Sequence, residues 1–287
     1  MNYNELWRQL AQIYTEGEAK AIARMTYEER FKLTLSDIYL GKDTQLSADD
    51  QTELEEIAQR LLQGEPVQYV LGYADFCGRT FLVNEHVLIP RPETAELCQW
   101  ITSQGGCHPM RLLDIGTGSG CIGITLAAEL YEAEVTAWDI SAEALEVACE
   151  NAKRANVHVS FEQVNVLNIP SPSLLEENGE KAYDLIVSNP PYICNKERAT
   201  MESNVLNHEP HLALFVPDND PLLFYRAIAQ YGQKALKEGG WLYFEINPIY
   251  EEPLQHMLSK MSYHNIETKK DQYGKQRMMR ALKTEKQ

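Results

Sequence analysis

The spacing of apolar residues along this 287-residue chain changes character twice. Up to about residue 70 it is helical. Leu6, Leu10 and Ile13 share one face, Ala19, Ile22 and Ala23 mark a second periodic stretch, and Phe31 to Leu40 holds a shorter apolar piece. Asp43 to Ser47 is a polar break. Ser47-Ala48-Asp49-Asp50 then reads as a helix start with acids in its first turn, and Leu54, Ile57, Leu61 and Leu62 supply the apolar face that follows. From Tyr73 to Ile89 the pattern becomes Phe76, Phe81, Val83 and Val87, broken by Gly78 and Asn84-Glu85, which predicts a short hairpin. Pro90-Arg91-Pro92 punctuates the chain before a helix through Trp100.

The remainder alternates short apolar runs with amphipathic stretches, the pattern of a mostly parallel sheet covered by helices. Strands are expected at Arg111–Ile115, Glu134–Trp138, residues 157–164, Tyr183–Val187 and Trp241–Ile246. Helices are expected from Cys121, from Ser141, over residues 222–236 and over 254–261, with an irregular loop running through Pro217. Two last strands, near 266–269 and over 277–282, flank Gly274 and predict an antiparallel hairpin closing the sheet. There is no internal repeat.

Candidate chemistry gathers at the strand ends. Gly116-Thr117-Gly118-Ser119-Gly120 joins a strand to a helix, the arrangement in which glycines let backbone approach a nucleotide. Its GxGxG spacing departs from the dinucleotide GxGxxG. Asp139 ends the next strand, about 20 residues on, and either accepts the two ribose hydroxyls or caps the following helix. Asn165 ends the third strand. After the fourth comes Ser188-Asn189-Pro190-Pro191-Tyr192. The Asn189 side-chain oxygen and the carbonyls of a proline-stiffened turn could accept both hydrogens of a planar –NH2 group, with the Tyr192 ring against its plane. The plainer alternative is a strand stopped by prolines. Arg91 is either a solvated loop residue or part of a ligand cleft.

Composition narrows the field. With 26 Lys and Arg against 42 Asp and Glu, the formal net charge is -16. No basic run is present to neutralise phosphates, so a protein or small-molecule substrate is favoured over nucleic acid. No apolar run approaches a membrane span, and the N-terminus carries no signal-peptide pattern. Cys77, Cys98, Cys107, Cys121, Cys149 and Cys194 show neither CxxC nor His-paired spacing, so free thiols in a reducing cytoplasm are expected, with no metal.

The chain resembles a class I S-adenosylmethionine-dependent methyltransferase, and more narrowly the protein-(glutamine-N5) methyltransferases of peptide chain release factors. The resemblance rests on Gly64-Glu65-Pro66 with Tyr69 and Gly72, on Leu88-Ile89-Pro90-Arg91-Pro92-Glu93-Thr94, and on Asp114-Ile115-Gly116-Thr117-Gly118-Ser119-Gly120. It rests equally on Asn189-Pro190-Pro191-Tyr192, Glu209-Pro210 with Ala213-Leu214, and Asp271, Gly274 and Arg277. Asn-Pro-Pro-Tyr alone is shared with adenine amino-methyltransferases; the other motifs narrow the choice. The resemblance implies a Rossmann-like α/β sheet over residues 96–287, a hairpin linker over 73–95 and a helical domain over 1–72 that docks the release factor. It implies S-adenosyl-L-methionine as cofactor, held by Asp114, Gly116, Thr117, Gly118, Gly120, Asp139, Ile140, Asn165, Val166 and Asn189. The substrate is then the glutamine of a Gly-Gly-Gln motif in class 1 release factors, met by Asn189, Pro190, Pro191, Tyr192, Arg91 and Glu209, with Asn189, Pro190 and Tyr192 at the reacting amide.

Four positions depart from the family pattern. Ala95 stands where an acid is usual and Glu96 follows it. Asn165 replaces an Asp that meets the adenine amino group. The stretch from Phe215 to Leu222 lacks the usual glycines, and Asn247-Pro248 follows Glu245-Ile246 where Gly is common. The competing expectations are an adenine amino-methyltransferase, a ribosomal-protein glutamine methyltransferase, and a silent module that docks a translation factor.

Overall fold

The computed structural model describes residues 1–105, 108–169 and 183–284; Cys107 lies outside them. The chain divides into two compact units, Met1–Tyr73 with Met201–Glu209, and Ala74–Thr200 with Pro210–Gln287.

The first unit opens with α1 (Tyr3–Leu10), α2 (Glu16–Arg30), α3 (Leu35–Tyr39), α4 (Ala48–Leu62) and α5 (Val67–Leu71). Asn2, Thr15, Thr34 and Ser47 cap the first four of these helices, each accepting a backbone N–H that the helix cannot satisfy. Leu6, Leu10, Ala23, Tyr27, Leu54 and Leu61 close its core. Ile13 does not join them. Because α1 stops at Leu10, the helical spacing fails and Ile13 is 51% exposed.

In the second unit, β1 (Tyr73–Phe76) and β2 (Arg79–Leu82) form the expected hairpin. Its two-residue turn places Cys77 and Gly78 at φ 48° and 72°, the left-handed pair that matches strand twist. Then follow α6 (Pro92–Gln104), β3 (Arg111–Ile115), α7 (Cys121–Glu129), β4 (Glu134–Asp139), α8 (Ala142–Ala155), β5 (Val159–Gln163), β6 (Tyr183–Ser188) and β7 (Ile193–Cys194). The stretch expected to be irregular carries α9 (Ser203–His208), which groups with the first unit, then α10 (His211–Leu214) and β8 (Phe215–Val216), which pairs with β7. The chain ends with α11 (Leu223–Ala235), β9 (Leu236–Glu245), α12 (Glu251–Lys260), β10 (Tyr263–Lys270) and β11 (Gln276–Lys283). β9 starts five residues earlier than expected. Its register against β6 slips between the Tyr183–Leu236 and Leu185–Trp241 pairs, a bulge around Gly239-Gly240.

The main sheet runs β10-β11-β9-β6-β3-β4-β5, parallel except where β11 pairs antiparallel with β9 and β10. Both faces are buried. Leu112, Val135, Leu185, Val187 and Tyr243 pack under α6, α7 and α8, while Leu113, Ile186, Leu242 and Phe244 pack under α11 and α12. Strands that alternate between two apolar faces read as continuous hydrophobic runs, as these do. Order reverses at β3, whose neighbours are β4 and β6, so the crevice beyond the carboxyl ends of β3 and β6 is where such sheets hold ligands.

Candidate active site

Three loops meet at that crevice, and each is tied down from behind. The Ser188 hydroxyl donates to the Ile115 carbonyl at 2.6 Å, joining the end of β6 to the end of β3. After β3, Gly116, Gly118 and Gly120 take φ of 74°, 54° and 82°, which side chains resist. A Cβ on Gly120 would also sit 2.7 Å from Ile124 Cδ1 and 3.2 Å from Ala148 Cβ, so this glycine lets α7 close on α8. The loop is anchored by Gly116 and Thr117 N–H groups donating to the Trp138 carbonyl and by Gly118 N–H donating to Asp139 Oδ2 at 2.8 Å.

Asp114 lies beneath the loop, 1% exposed. Its Oδ2 accepts from Thr117 Oγ1 at 2.6 Å and Gly123 N–H at 3.0 Å. Burial pushes its carboxyl up to about 7, opposed by those two hydrogen bonds. Asn151 adds a brace. Its amide donates to the Leu82 and Ser119 carbonyls and its oxygen accepts Leu82 N–H, linking the hairpin to the glycine loop.

The loops enclose a cleft of about 290 Å³. Of the residues singled out in the sequence, Arg91, Gly116, Thr117, Gly118, Asp139, Ile140, Asn165, Val166, Asn189, Pro190 and Pro191 line it. Asp114, Gly120, Tyr192 and Glu209 do not. Asp114 and Gly120 shape the loop from behind, and Glu209 is buried and groups with the first unit. The Tyr192 ring packs on the apolar cluster of Ile186 and Phe244 instead of presenting a face to the cleft. Its hydroxyl donates to Glu245 Oε1 at 3.0 Å, and burial beside that carboxylate pushes its pKa far up.

Asp139 is not a helix cap. Ser141 caps α8, while Asp139 accepts from Ser141 N–H at 3.0 Å as well as from Gly118. Each carboxylate oxygen keeps a further lone pair for a diol. Asn165 Oδ1 accepts Leu167 N–H at 3.0 Å, which sets the amide orientation and leaves Nδ2 free to donate. Asn247 answers one departure: it donates to the Tyr192 carbonyl and to Glu197, so it clamps the loop after Asn189. The stretch from Phe215 is held by β8 and by the two-pronged Arg226–Asp220 pair at 2.7 and 2.9 Å.

Two further side chains, for which no motif predicts a role, complete the site. Thr94, in the first turn of α6, accepts from Asn189 Nδ2 at 3.2 Å and donates to Glu245 Oε2 at 2.6 Å. Glu245 had one visible signal, a lone acid closing the apolar run Trp241-Leu242-Tyr243-Phe244. No cluster of metal-binding side chains exists among the described residues, and the five described cysteines are free. No described helix is long and apolar enough to cross a membrane.

A seven-stranded sheet closed by an antiparallel hairpin, with a glycine loop after its first central strand and Asn-Pro-Pro-Tyr after the fourth, defines a class I methyltransferase. The methyltransferase small domain family matches residues 94–212, and the PrmC N-terminal domain family matches residues 4–72. A release factor glutamine methyltransferase of Bacteroides thetaiotaomicron is 47% identical over 272 residues, covering 95% of each chain. Another, of Flavobacterium psychrophilum, is 41% identical over 275 residues, covering 94% of each. The chain belongs to the release factor glutamine methyltransferase family. In fold it is also like a T. thermophilus 16S rRNA N2 G1207 methyltransferase solved with AdoMet and guanosine, at 17% identity and a TM-score of 0.51, over 74% of this chain and 49% of that one.

Proposed function

We propose that this protein transfers a methyl group from S-adenosylmethionine to the side-chain amide nitrogen of the glutamine in the Gly-Gly-Gln motif of a class 1 release factor. The observation that carries the reading is Asn189 on the cleft wall with its Nδ2 already bonded to Thr94, which leaves Oδ1 to accept from a substrate amide.

The cleft suits the cofactor. Gly116 and Gly118 have open space where a Cβ would stand, and α7 begins at the loop, where its first N–H groups could take the cofactor's carboxylate. Asp139 offers acceptors to the ribose, Ile140, Val166 and Leu167 offer apolar walls to the adenine, and Asn165 offers it a polar edge. When bound, the cofactor supplies an electrophilic sulfonium methyl.

A carboxamide nitrogen is a poor nucleophile because its lone pair is delocalised into the carbonyl. Asn189 Oδ1 and the Pro190 carbonyl would each accept one of its hydrogens, fixing the nitrogen in line with the methyl and favouring a more amine-like lone pair. Transfer would form the N–C bond as the cofactor's S–C bond breaks, with the surplus proton leaving to water. Tyr192 acts from behind, through Glu245. The helical first unit holds the release factor, and work on a translation factor implies a cytoplasmic setting. The net charge of -16 favours this substrate over DNA or RNA.

The test is transfer of labelled methyl to a class 1 release factor, to its Gly-Gly-Ala variant and to DNA. Label on the native factor alone supports the reading. Label on DNA would turn it toward an adenine enzyme.

A further inference from the structure

The side chains behind Asn189 form a hydrogen-bonded chain with a single direction. Burial pushes the Glu245 carboxyl up, while the Thr94 and Tyr192 hydroxyls and the Arg277 charge favour its ionised form; the carboxylate only accepts, so the Thr94 hydroxyl donates to it. With its only hydrogen used, Thr94 Oγ1 can only accept from Asn189. The second carboxylate oxygen is taken by Tyr192, and Thr94 and Glu245 are each 2% exposed, so water does not compete for the Thr94–Glu245 bond. A free asparagine amide would flip between two nearly isosteric orientations. The flipped one would aim an NH2 donor at the NH2 of the substrate, where no bond can form.

We infer that Thr94 and Glu245 are positioning residues that lock the Asn189 carboxamide with its oxygen toward the substrate amide. The inference rests on the proposed function and deepens it. Thr94 holds the orientation directly, and Glu245 sets which end of the Thr94 hydroxyl faces Asn189.

Thr94→Val keeps the side-chain shape and removes the bond; Thr94→Ser keeps the hydroxyl. Steady-state turnover, calorimetric cofactor affinity and water exchange of the Asn189 side-chain amide hydrogens by NMR are compared. Thr94→Val is expected to lower kcat on the order of tenfold to a hundredfold, since a mis-set group leaves the reacting atoms unaligned. Cofactor affinity stays near the native value, and the slow exchange of one Asn189 amide hydrogen is lost. Thr94→Ser restores both kcat and slow exchange. If Thr94→Val does not fold, Thr94→Cys, whose sulfur accepts poorly, takes its place. Native exchange rates in Thr94→Val, or a Thr94→Ser variant as impaired as Thr94→Val, would overturn the inference. The exchange measurement needs no substrate, so it decides the lock even if the release factor proves not to be methylated.

Discussion

The Ser188 hydroxyl and the Ile115 carbonyl, 73 residues apart in sequence, are joined by a 2.6 Å hydrogen bond that is wholly buried. Together with the β3–β6 ladder, in which the same two residues are partners, this contact ties the loop after β3 to the loop after β6. Ser188→Ala leaves the Ile115 carbonyl without this donor, at a cost of about 1–3 kcal/mol. Chemical denaturation is expected to show that loss, and kcat/KM is expected to fall further than cofactor affinity, because alignment between the loops suffers most.

Asp114 makes stability depend on pH. Its folded-state value of about 7 lies above the ordinary carboxylate value, so between about pH 4 and 7 the folded protein holds a proton that the unfolded chain releases. That contribution is intact below pH 4 and declines as pH rises through this window. Asp114→Asn keeps an oxygen for Thr117 and Gly123 and cannot ionise. The fall in melting temperature from pH 5 to pH 8 is therefore expected to be smaller in Asp114→Asn than in the native protein, by an amount equivalent to on the order of a few kcal/mol. Equal falls would show that the Asp114 carboxyl does not change its ionisation between pH 5 and pH 8.

Asn165 tests how the adenine edge is read. In Asn165→Asp, an oxygen still caps Leu167 N–H, and a charged acceptor replaces Nδ2. Acceptance from the adenine amino group would then tighten cofactor binding by about threefold to tenfold, the gain of a charge-assisted bond. If Nδ2 instead donates to a ring nitrogen, Asn165→Asp weakens binding. Calorimetry with S-adenosylhomocysteine separates the two.

Much of this arrangement was legible in the sequence because buried strands and amphipathic helices carry their own periods. β3, β4 and β6 follow from apolar runs, and the Gly116–Gly120 turn from its glycines. The short pieces between Ile193 and Val216 were not, since two-residue strands and single-turn helices have no period to read. Tyr192 was expected to face the amide because spacing cannot say which way a ring turns; the fold gives its hydroxyl a buried carboxylate and its ring an apolar bed. The Thr94–Glu245 bond spans 151 residues and exists only after the sheet forms, so no local pattern announces it.

The most direct measurement is mass spectrometry of the Gly-Gly-Gln peptide of a class 1 release factor after reaction with native protein and with Asn189→Ala, alongside calorimetric cofactor affinity for both. The account predicts one methyl group on the glutamine side-chain amide with the native protein, none with Asn189→Ala, and cofactor affinity largely retained in the variant. An unmodified glutamine with native protein, or an Asn189→Ala variant that methylates at the native rate, would contradict it.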